Sequence, residues 1–354
     1  MGFDWESDEQ KERYIKEGKY VKDAVVPIDV FIAGKEIFLG IPRATGVPAA
    51  LVTLNMAKNE GGGPLLRPYP DWSWTDSECD KSIVSVYRVT SDKCGRLWVL
   101  DNGKIDEQQK CPPKVLAFDL KTRKLLLIKE IPKEYAFNKT GSGLLVTPLV
   151  ETFGPNCEKV KMYIADIEGY GLIIWDGKDK FRRFDSEVFA AQKPNFTLNG
   201  DSFYLTDGLV GMALTKRCHN PELYFTALAS TKLFHVPTKE LDFTYGNTPN
   251  YVENTGDVDF RKVALVIDGD TMYFCSLEDN ALMSWNIKTK FERNNMKTIA
   301  KSDKWMQFVS GMKLSETYNW KKCIYGISNK FQRSAAGNRN ISEYNYHIFI
   351  QRIY

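Results

Sequence analysis

The sequence RLWVLDN at residues 96–102 is one of six similar apolar runs that decide the fold. The others are EIFLGIP at 36–42, KMYIADI at 161–167, ELYFTAL at 222–228, TMYFCSL at 271–277 and CIYGISN at 323–329. Each run has a central aromatic residue, and these aromatics recur at intervals of 49 to 65 residues: Phe38, Trp98, Tyr163, Tyr224, Tyr273 and Tyr325. Self-similarity at a near-constant period is typical of repeat folds. The chain is therefore predicted to contain six copies of one structural unit.

Apolar and polar residues alternate around each of these runs. Second runs follow the four middle copies: VLAFDLKTRK at 115–124, LIIWDGKDK at 172–180, LFHVPTKE at 233–240 and LMSWNIKTK at 282–290. A strand-like run such as SIVSVYRV at 82–89 precedes each copy. A period of two indicates half-buried β-strands, and helical periodicity is scarce. Three strands per repeat are visible, and the links have room for a fourth.

Six such repeats predict an all-β fold, a six-bladed β-propeller with a central channel. Residues 1–354 are expected to form a single domain, with residues 1–25 as an N-terminal extension closing onto the ring. Rings of this kind usually close when one blade takes strands from both ends of the chain. Residues 29–41 and the tail at 344–353 are the expected partners for that closure. A pair of β-sandwiches is the alternative architecture.

Composition excludes several classes of function. Lys and Arg number 48 against 45 Asp and Glu, and no dense basic stripe is present, so nucleic-acid binding is not expected. No apolar run approaches the roughly 18 residues of a membrane helix, and no membrane association is expected. The seven Cys form no CxxC pair and only three His occur, so neither a metal site nor a cofactor is predicted.

Cysteines and glycosylation sequons favour the secretory route. The charged N-terminus lacks a signal-peptide core, which fits either a cytosolic protein or a mature secreted one. Cys79 and Cys111 begin strands at the same end of one blade, so this pair is predicted to form a disulfide. The remaining edge cysteines occupy matching places, and their pairing is left open: Cys94, Cys157, Cys218 and Cys323. Cys275 is predicted to be a buried thiol, and the sequons lie at Asn138, Asn195 and Asn340.

Several stretches resemble the yellow and major royal jelly protein family. They are GIPRATGVPAALV at 40–52, SIVSVYRVTSDKCGRLWVLDNG at 82–103, CPPKVLAFDL at 111–120, YIADIEGYGLIIWD at 163–176 and DGLVGMAL at 207–214. Within the family, the short length and ISNKFQR at 327–333 are most similar to the salivary yellow-related proteins of sand flies. Those proteins are six-bladed propellers that bind biogenic amines in the central channel.

The resemblance implies a secreted salivary protein, a monomer, that sequesters amines and so counters vasoconstriction, platelet activation and inflammation in a host. The implied ligands are serotonin, noradrenaline, adrenaline, dopamine and histamine. The family's ligand contacts include a Thr, an Asn and a Phe in the last full blade. Asn329 and Phe331 match the last two, and Ser310 is the hydroxyl nearest to the Thr position.

The residues themselves also suggest an amine site. An amine with a flat ring needs aromatic walls and a few oxygen acceptors. Strand ends supply acceptors such as Asp101, and Tyr170 and Phe308 supply neighbouring rings. The structural interpretation is that these acids cap turns, that Asn329 is a turn residue and that Phe331 belongs to the core.

Two rival functions remain open. The first is an enzyme, either a dopachrome-converting isomerase or a calcium-dependent hydrolase with Asp101, Asp166 and Glu278 as metal ligands. No catalytic residues are predicted, because the histidines lie in unlike contexts and no nucleophile elbow stands out: His219, His235 and His347. The second is a royal-jelly-like storage or interaction protein without a small ligand.

Overall fold

A computed structural model describes residues 1–60, 62–216, 220–243, 252–318 and 321–353. It is a six-bladed β-propeller, with six antiparallel blades arranged in a ring. The fold predicted from the repeats is thus confirmed, and the pair of β-sandwiches is excluded. The chain forms two compact units, one of Met1–Lys133 with Thr152–Glu158 and the other of Glu134–Glu151 with Lys159–Tyr354.

The first unit contains helix α1 (Asp8–Lys16) and blades 1 and 2. Blade 1 is formed by β1 (Asp29–Ala33), β2 (Glu36–Gly40), β3 (Leu51–Glu60) and β4 (Gly63–Pro68). Blade 2 is formed by β5 (Val86–Ser91), β6 (Arg96–Asp101), β9 (Lys114–Asp119) and β10 (Leu125–Glu130). A small hairpin of β7 (Lys104–Ile105) and β8 (Gln108–Gln109) interrupts blade 2.

The second unit contains blades 3 to 6, and a short helix α2 (Lys133–Ala136) lies where it begins. Blade 3 has β11 (Leu145–Phe153), β12 (Lys159–Asp166), β13 (Gly171–Trp175) and β14 (Phe181–Asp185). A hairpin of β15 (Asn195–Leu198) and β16 (Asp201–Tyr204) follows. Blade 4 has β17 (Leu209–Leu214), β18 (Glu222–Ala227), β19 (Lys232–Pro237) and β20 (Glu253–Asp257).

Blade 5 consists of β21 (Leu265–Asp268), β22 (Thr271–Ser276), β23 (Ala281–Asn286) and β24 (Met296–Lys301). Blade 6 consists of β25 (Val309–Tyr318), β26 (Lys321–Ser328) and β27 (His347–Arg352), with helix α3 (Phe331–Ala335) between the last two. No helix in the part of the chain that the structure describes is long and apolar enough to cross a membrane.

The six repeated aromatic residues all lie in the core. Each is at most 7% exposed: Phe38, Trp98, Tyr163, Tyr224, Tyr273 and Tyr325. In the first unit, apolar side chains of blades 1 and 2 form one cluster around Phe38, Leu97 and Phe118. In the second unit, blades 4 and 5 meet around Tyr224, Phe274 and Trp285. The repeat therefore marks, in each blade, a strand whose central aromatic side chain is buried.

The expected sharing of one blade by both chain ends is wrong. Strands β1 and β2 pair with each other, and β2 pairs with β3 of the same blade. The tail strand β27 pairs with β26 along residues 347–352. The long β3–β4 hairpin supplies the last two strands of blade 1. Four consecutive strands therefore complete this blade without the C-terminal tail.

The N-terminal extension packs against blade 1 within the first unit. Phe3 forms a parallel bridge with Leu66, and the Trp5 ring stacks on Trp72 with centroids 4.8 Å apart. The Asp4 carboxylate pairs with Arg67 at 2.9 Å. Burial acts to raise its pKa, but hydrogen bonds from Lys58, Arg67 and Asn55 outweigh burial and lower the pKa to about 2. The organisation of the whole chain as one domain remains a prediction.

Two disulfides lie in the first unit. Cys79 and Cys111 are joined, as predicted. Cys94 and Cys157 are joined as well, a pairing that the sequence left open. Cys275 is a buried thiol, as predicted, and burial raises its pKa well above the ordinary range. Cys218 lies outside the described residues.

Candidate functional site

Four of the six predicted site residues come together at one end of blade 6. Asn329 directly follows β26, and its Nδ2 donates to the Ser310 hydroxyl at 3.0 Å. The Asn329 backbone N–H donates to the carbonyl of Phe308 at 3.3 Å. Its side-chain oxygen accepts from the backbone N–H of Phe331 at 3.1 Å. One asparagine thus links the entry of β25 to the start of α3.

The same contacts bring two aromatic rings together. The Phe308 and Phe331 rings lie 4.9 Å apart with a tilt of 47°. Phe308 has a left-handed backbone with φ of 52°, which is uncommon for a residue with a side chain and is sustained only by its surroundings. Phe308 is buried, whereas Phe331 is half-buried. The pair forms an apolar wall beside the Asn329–Ser310 hydrogen bond.

The buried polar atoms without a hydrogen-bond partner among the described residues include two oxygens at this end of the blade. They are the hydroxyl of Ser328 and the side-chain oxygen of Gln332, and both residues are 0% exposed. The Gln332 amide donates to the side-chain oxygen of Gln307 at 2.8 Å, which leaves the Gln332 oxygen as an acceptor. Buried polar atoms are nearly always satisfied, so unsatisfied ones indicate a place for a donor.

Two positive charges beside this cluster share one carboxylate. Lys330 lies between Asn329 and Phe331 in sequence, and its ammonium contacts Glu343 at 3.3 Å. Glu343 also pairs with Arg333 at 2.9 Å, and these two cations lower the pKa of its carboxyl. Lys330, Arg333 and Glu343 together carry one net positive charge, which opposes a cationic ligand nearby unless other acceptors compensate.

Asp101, the fifth predicted residue, belongs to the first unit and has a structural environment. Its carboxylate accepts from the backbone N–H groups of Val84, Ser85 and Gly103 at 2.8–2.9 Å. The Lys114 ammonium donates to it at 2.8 Å, and both side chains are buried. Four donors occupy most of the acceptor capacity of one carboxylate. Asp101 thus holds the ends of the blade 2 strands together.

Tyr170, the sixth predicted residue, lies in the turn between β12 and β13. Its hydroxyl donates to the carbonyl of Thr206 at 2.9 Å. A Cβ added to Gly208 would lie 2.4 Å from the Tyr170 ring, so the ring covers that glycine closely. These contacts join blade 3 to the segment that leads into blade 4, and they do not involve Asn329 or Phe331.

The other strand-end acids repeat the pattern of Asp101. Asp166 accepts from the backbone N–H of Leu144 at 2.7 Å and pairs with Arg183 at 2.8 Å. Burial raises the pKa of the Asp166 carboxyl. Glu278 accepts from the backbone N–H of Arg261 at 2.6 Å. Within the described ranges, no group of three His, Cys, Asp or Glu side chains is placed to hold a metal ion.

Comparisons with known proteins decide the family. The sequence model described as Major royal jelly protein matches residues 84–354. Major royal jelly protein 9 of Apis mellifera is 37% identical over 98% of this chain and 84% of that protein. Major royal jelly protein 1 of the same species is 34% identical over the same shares.

The chain belongs to the major royal jelly protein family. The resemblance read from the sequence motifs is therefore confirmed. Among solved structures, this royal jelly family chain is similar to virginiamycin B lyase from Staphylococcus aureus. The identity there is 14%, the TM-score is 0.42, and the match covers 86% of this chain and 92% of that one. A likeness at that level says nothing of activity.

Sequence reasoning missed three residues around this site. Gln307 and Gln332 are buried, and no motif pointed to a glutamine pair. Phe203, from the β15–β16 hairpin, contacts the Phe331 ring at 6.1 Å between centroids. The only signal in the sequence was the adjacency of Gln307 to Phe308 and of Gln332 to Phe331. In this royal jelly family chain, the candidate site is therefore wider than the family motif suggested.

Proposed function

We propose that this chain is a binding protein for small biogenic amines, with its site at the end of blade 6. The observation that carries the proposal is the pair of unpartnered buried oxygens, those of Ser328 and Gln332, beside the Phe308–Phe331 wall. An ammonium group donates up to three hydrogen bonds and needs such acceptors when it leaves water. An aromatic ring favours contact with the two phenylalanines.

The ligand class follows from this combination of groups. Serotonin, noradrenaline, adrenaline, dopamine and histamine each join a flat ring to a cationic amine. The rings of Phe308 and Phe331 can pack against the aromatic ring of such a ligand. The face of an aromatic ring also attracts the ammonium group of the ligand. Binding without turnover then amounts to sequestration, and no catalytic residue is required.

The proposal extends to the setting in which the protein works. Disulfides persist in oxidising compartments, so the two cross-links support secretion. Release in saliva, where amine removal would counter vasoconstriction, platelet activation and inflammation, rests on the resemblance to the sand fly proteins. A monomer that contacts neither nucleic acid nor membrane is part of the same proposal.

The experiment is isothermal titration of the purified protein with serotonin, noradrenaline and histamine at physiological pH. We expect saturable one-to-one binding at or below micromolar concentration. Absence of heat with every amine, in a sample shown to be folded, contradicts the proposal.

Asn329→Ala is expected to weaken amine binding at least tenfold, about 1.4 kcal/mol. The reason is that Asn329 holds Ser310 and the start of α3 in place. The variant also loses buried hydrogen bonds, so the free energy of unfolding should fall by about 1–3 kcal/mol. Titration and thermal melting of the same samples measure both effects.

Asn286→Ala is the matched control, because Asn286 is an exposed residue at the end of β23 whose side chain only accepts from the Lys288 N–H. It should bind like the wild type. Unchanged affinity in a folded Asn329→Ala sample removes Asn329 from the site.

A storage or interaction protein without a small ligand is the second candidate function. The observation in its favour is that both ends of the Asn329 side chain already hydrogen-bond within the protein. The dopachrome-converting enzyme is the third candidate, and a turnover assay with dopachrome on the same preparation separates it from the other two.

A further inference from the structure

The β15–β16 hairpin connects blades 3 and 4 in sequence, yet its contacts are with blade 5 and with α3. Its two strands pair from Asn195↔Tyr204 to Leu198↔Asp201, outside the four-stranded sheets of the blades. A free two-stranded hairpin is marginally stable in water. Its position must therefore be maintained by contacts with the rest of the second unit.

Arg261, which precedes β21, fixes the base of the hairpin. Its guanidinium lies over the Phe196 ring at 4.0 Å from the centroid. The same group donates to the backbone carbonyls of Lys193 at 2.8 Å and Asn195 at 2.6 Å. Glu278 holds the other side of the guanidinium at 2.7 Å. The Arg261 side chain is held in one orientation, because its planar guanidinium group makes hydrogen bonds through both terminal nitrogens.

Two further polar contacts fix the hairpin tip. The side-chain amides of Asn199 and Asn280 exchange hydrogen bonds of 2.7 and 3.1 Å. Asp201 accepts from the side-chain amide of Asn338 at 2.9 Å. Asn280 lies between β22 and β23 of blade 5, and Asn338 follows α3. The hairpin thus bridges blade 5 and the helix beside the candidate site.

An aromatic row runs from the hairpin into the site. The Phe196 and Phe203 rings stack with centroids 4.8 Å apart. Phe203 presents itself edge-on to Phe331 at 6.1 Å, and Phe331 contacts Phe308 at 4.9 Å. Aromatic pairs in these arrangements are attractive beyond the area that they bury. The half-buried Phe331 therefore rests on Phe203 on one side and on Phe308 on the other.

We infer that the β15–β16 hairpin sets the position of Phe331 and that Phe203 is the positioning residue. This inference rests on the proposed function, because Phe331 is the ring that would contact the ligand. A ligand with a large flat ring uses more of that wall than a ligand with a small one. Phe203 should therefore matter more for an indole amine than for an imidazole amine.

Phe203→Ala is expected to weaken serotonin binding about fivefold and histamine binding less than about twofold. Tyr204→Ala is the matched control, since Tyr204 is the next residue of β16 and is 68% exposed. It should leave both affinities within about twofold of the wild type. Phe203→Tyr keeps the ring and should bind both amines with affinities close to those of the wild type. Equal losses for both amines in Phe203→Ala overturn the positioning role.

Hydrogen exchange of the ligand-free protein tests the same inference independently of binding. Backbone amides of residues 331–336 should exchange faster in Phe203→Ala and at the wild-type rate in Tyr204→Ala. Unchanged exchange in Phe203→Ala overturns the inference even if amines bind. If Phe203→Ala exchanges faster but the wild type binds no amine, the hairpin still positions Phe331. That result contradicts the proposed function and not the inference about the hairpin.

Discussion

At the scale of single residues, one residue type serves different purposes according to its partners. Asp101 and Asp166 end their aromatic strands, Glu278 follows its own, and all three accept from the backbone N–H of a preceding segment. These carboxylates hold strand ends to neighbouring backbone segments. Their contacts agree with the structural interpretation of these acids, which the sequence offered as an alternative to ligand binding. Asn329 differs, because its neighbours include two phenylalanine rings and unpartnered oxygens.

Lys262 has an unusual electrostatic environment for a lysine. It is 0% exposed, and its ammonium donates to the carbonyl of Thr231 at 2.7 Å. Burial lowers its pKa to about 7, although the charges of Asp257 and Glu278 act in the opposite direction and Lys193 adds to the lowering. The aromatic rings of Phe260 and Phe291 lie 5.6 and 5.3 Å from the nitrogen.

Because the folded-state pKa of Lys262 lies below its unfolded value, the unfolded chain binds more protons between these two values. The free energy of unfolding should therefore rise with pH from about 7 to about 10, by at most about 1.4 kcal/mol per pH unit from this group. Between pH 7 and 9 the wild type should gain about 2 kcal/mol that Lys262→Met lacks. Urea unfolding of both proteins at the two pH values measures the difference. Identical pH slopes in the two proteins contradict it.

At the scale of elements, local patterns predict strands well and predict partners less well. The alternating runs became β-strands, and the paired runs became neighbouring strands of one blade, as in β22 and β23. The tail strand joined β26 because that strand was adjacent in space and in sequence. The disulfides lie in loops between strands. The effect of each disulfide on stability depends on the number of residues between its two cysteines.

Loss of either disulfide should lower the free energy of unfolding by about 4 kcal/mol in the chain-entropy account. The Cys79–Cys111 bond spans 32 residues and the Cys94–Cys157 bond spans 63, so the second should contribute slightly more. Denaturant unfolding of the double serine variants, Cys79→Ser with Cys111→Ser and Cys94→Ser with Cys157→Ser, measures each loss. Peptide mapping under non-reducing conditions should yield these two pairs, and any exchange of partners between them would show the pairing to be wrong.

At the scale of the whole molecule, surface properties determine how the protein meets its surroundings. The net charge is +3, from 48 basic and 45 acidic residues, so the two signs are nearly equal in number. Secretion, which is part of the proposed function, would bring the three sequons to the glycosylation machinery. The three asparagines differ in exposure and in the hydrogen bonds of their side chains.

Asn195 should be the main glycosylated residue when the chain is secreted from insect cells. It is exposed, whereas Asn138 is half-buried, with its side chain bonded to Thr140, Ser142 and Gly169. Asn340 is exposed as well, but its amide donates to Glu343 at 3.2 Å and its side-chain oxygen accepts from the backbone N–H of Ser342 at 3.0 Å. Asn195→Gln should remove most of the mass that glycosidase digestion removes from the wild type, and Asn138→Gln should remove none. A glycopeptide containing occupied Asn138 would contradict this expectation.

The sequence by itself determined the architecture of this protein. Six aromatic runs at a regular interval require six equivalent strands, and period-two alternation requires that one face of each be buried. The Cys79–Cys111 pair followed from the strand order, and the buried thiol of Cys275 followed from its place in an apolar run. The family followed from motifs spread along most of the chain. All of these are local patterns, which a single chain displays without reference to distant residues.

Only the tertiary structure decided which side chains meet. The Asn329–Ser310 hydrogen bond and the Phe203–Phe331 contact join residues that are far apart in sequence. The disulfide between Cys94 and Cys157 and the backbone contacts of Asp101 arise in the same way. Such contacts depend on how strands curve and how loops cross between blades. That information lies in the packing of the whole fold, because no local period in the sequence encodes it.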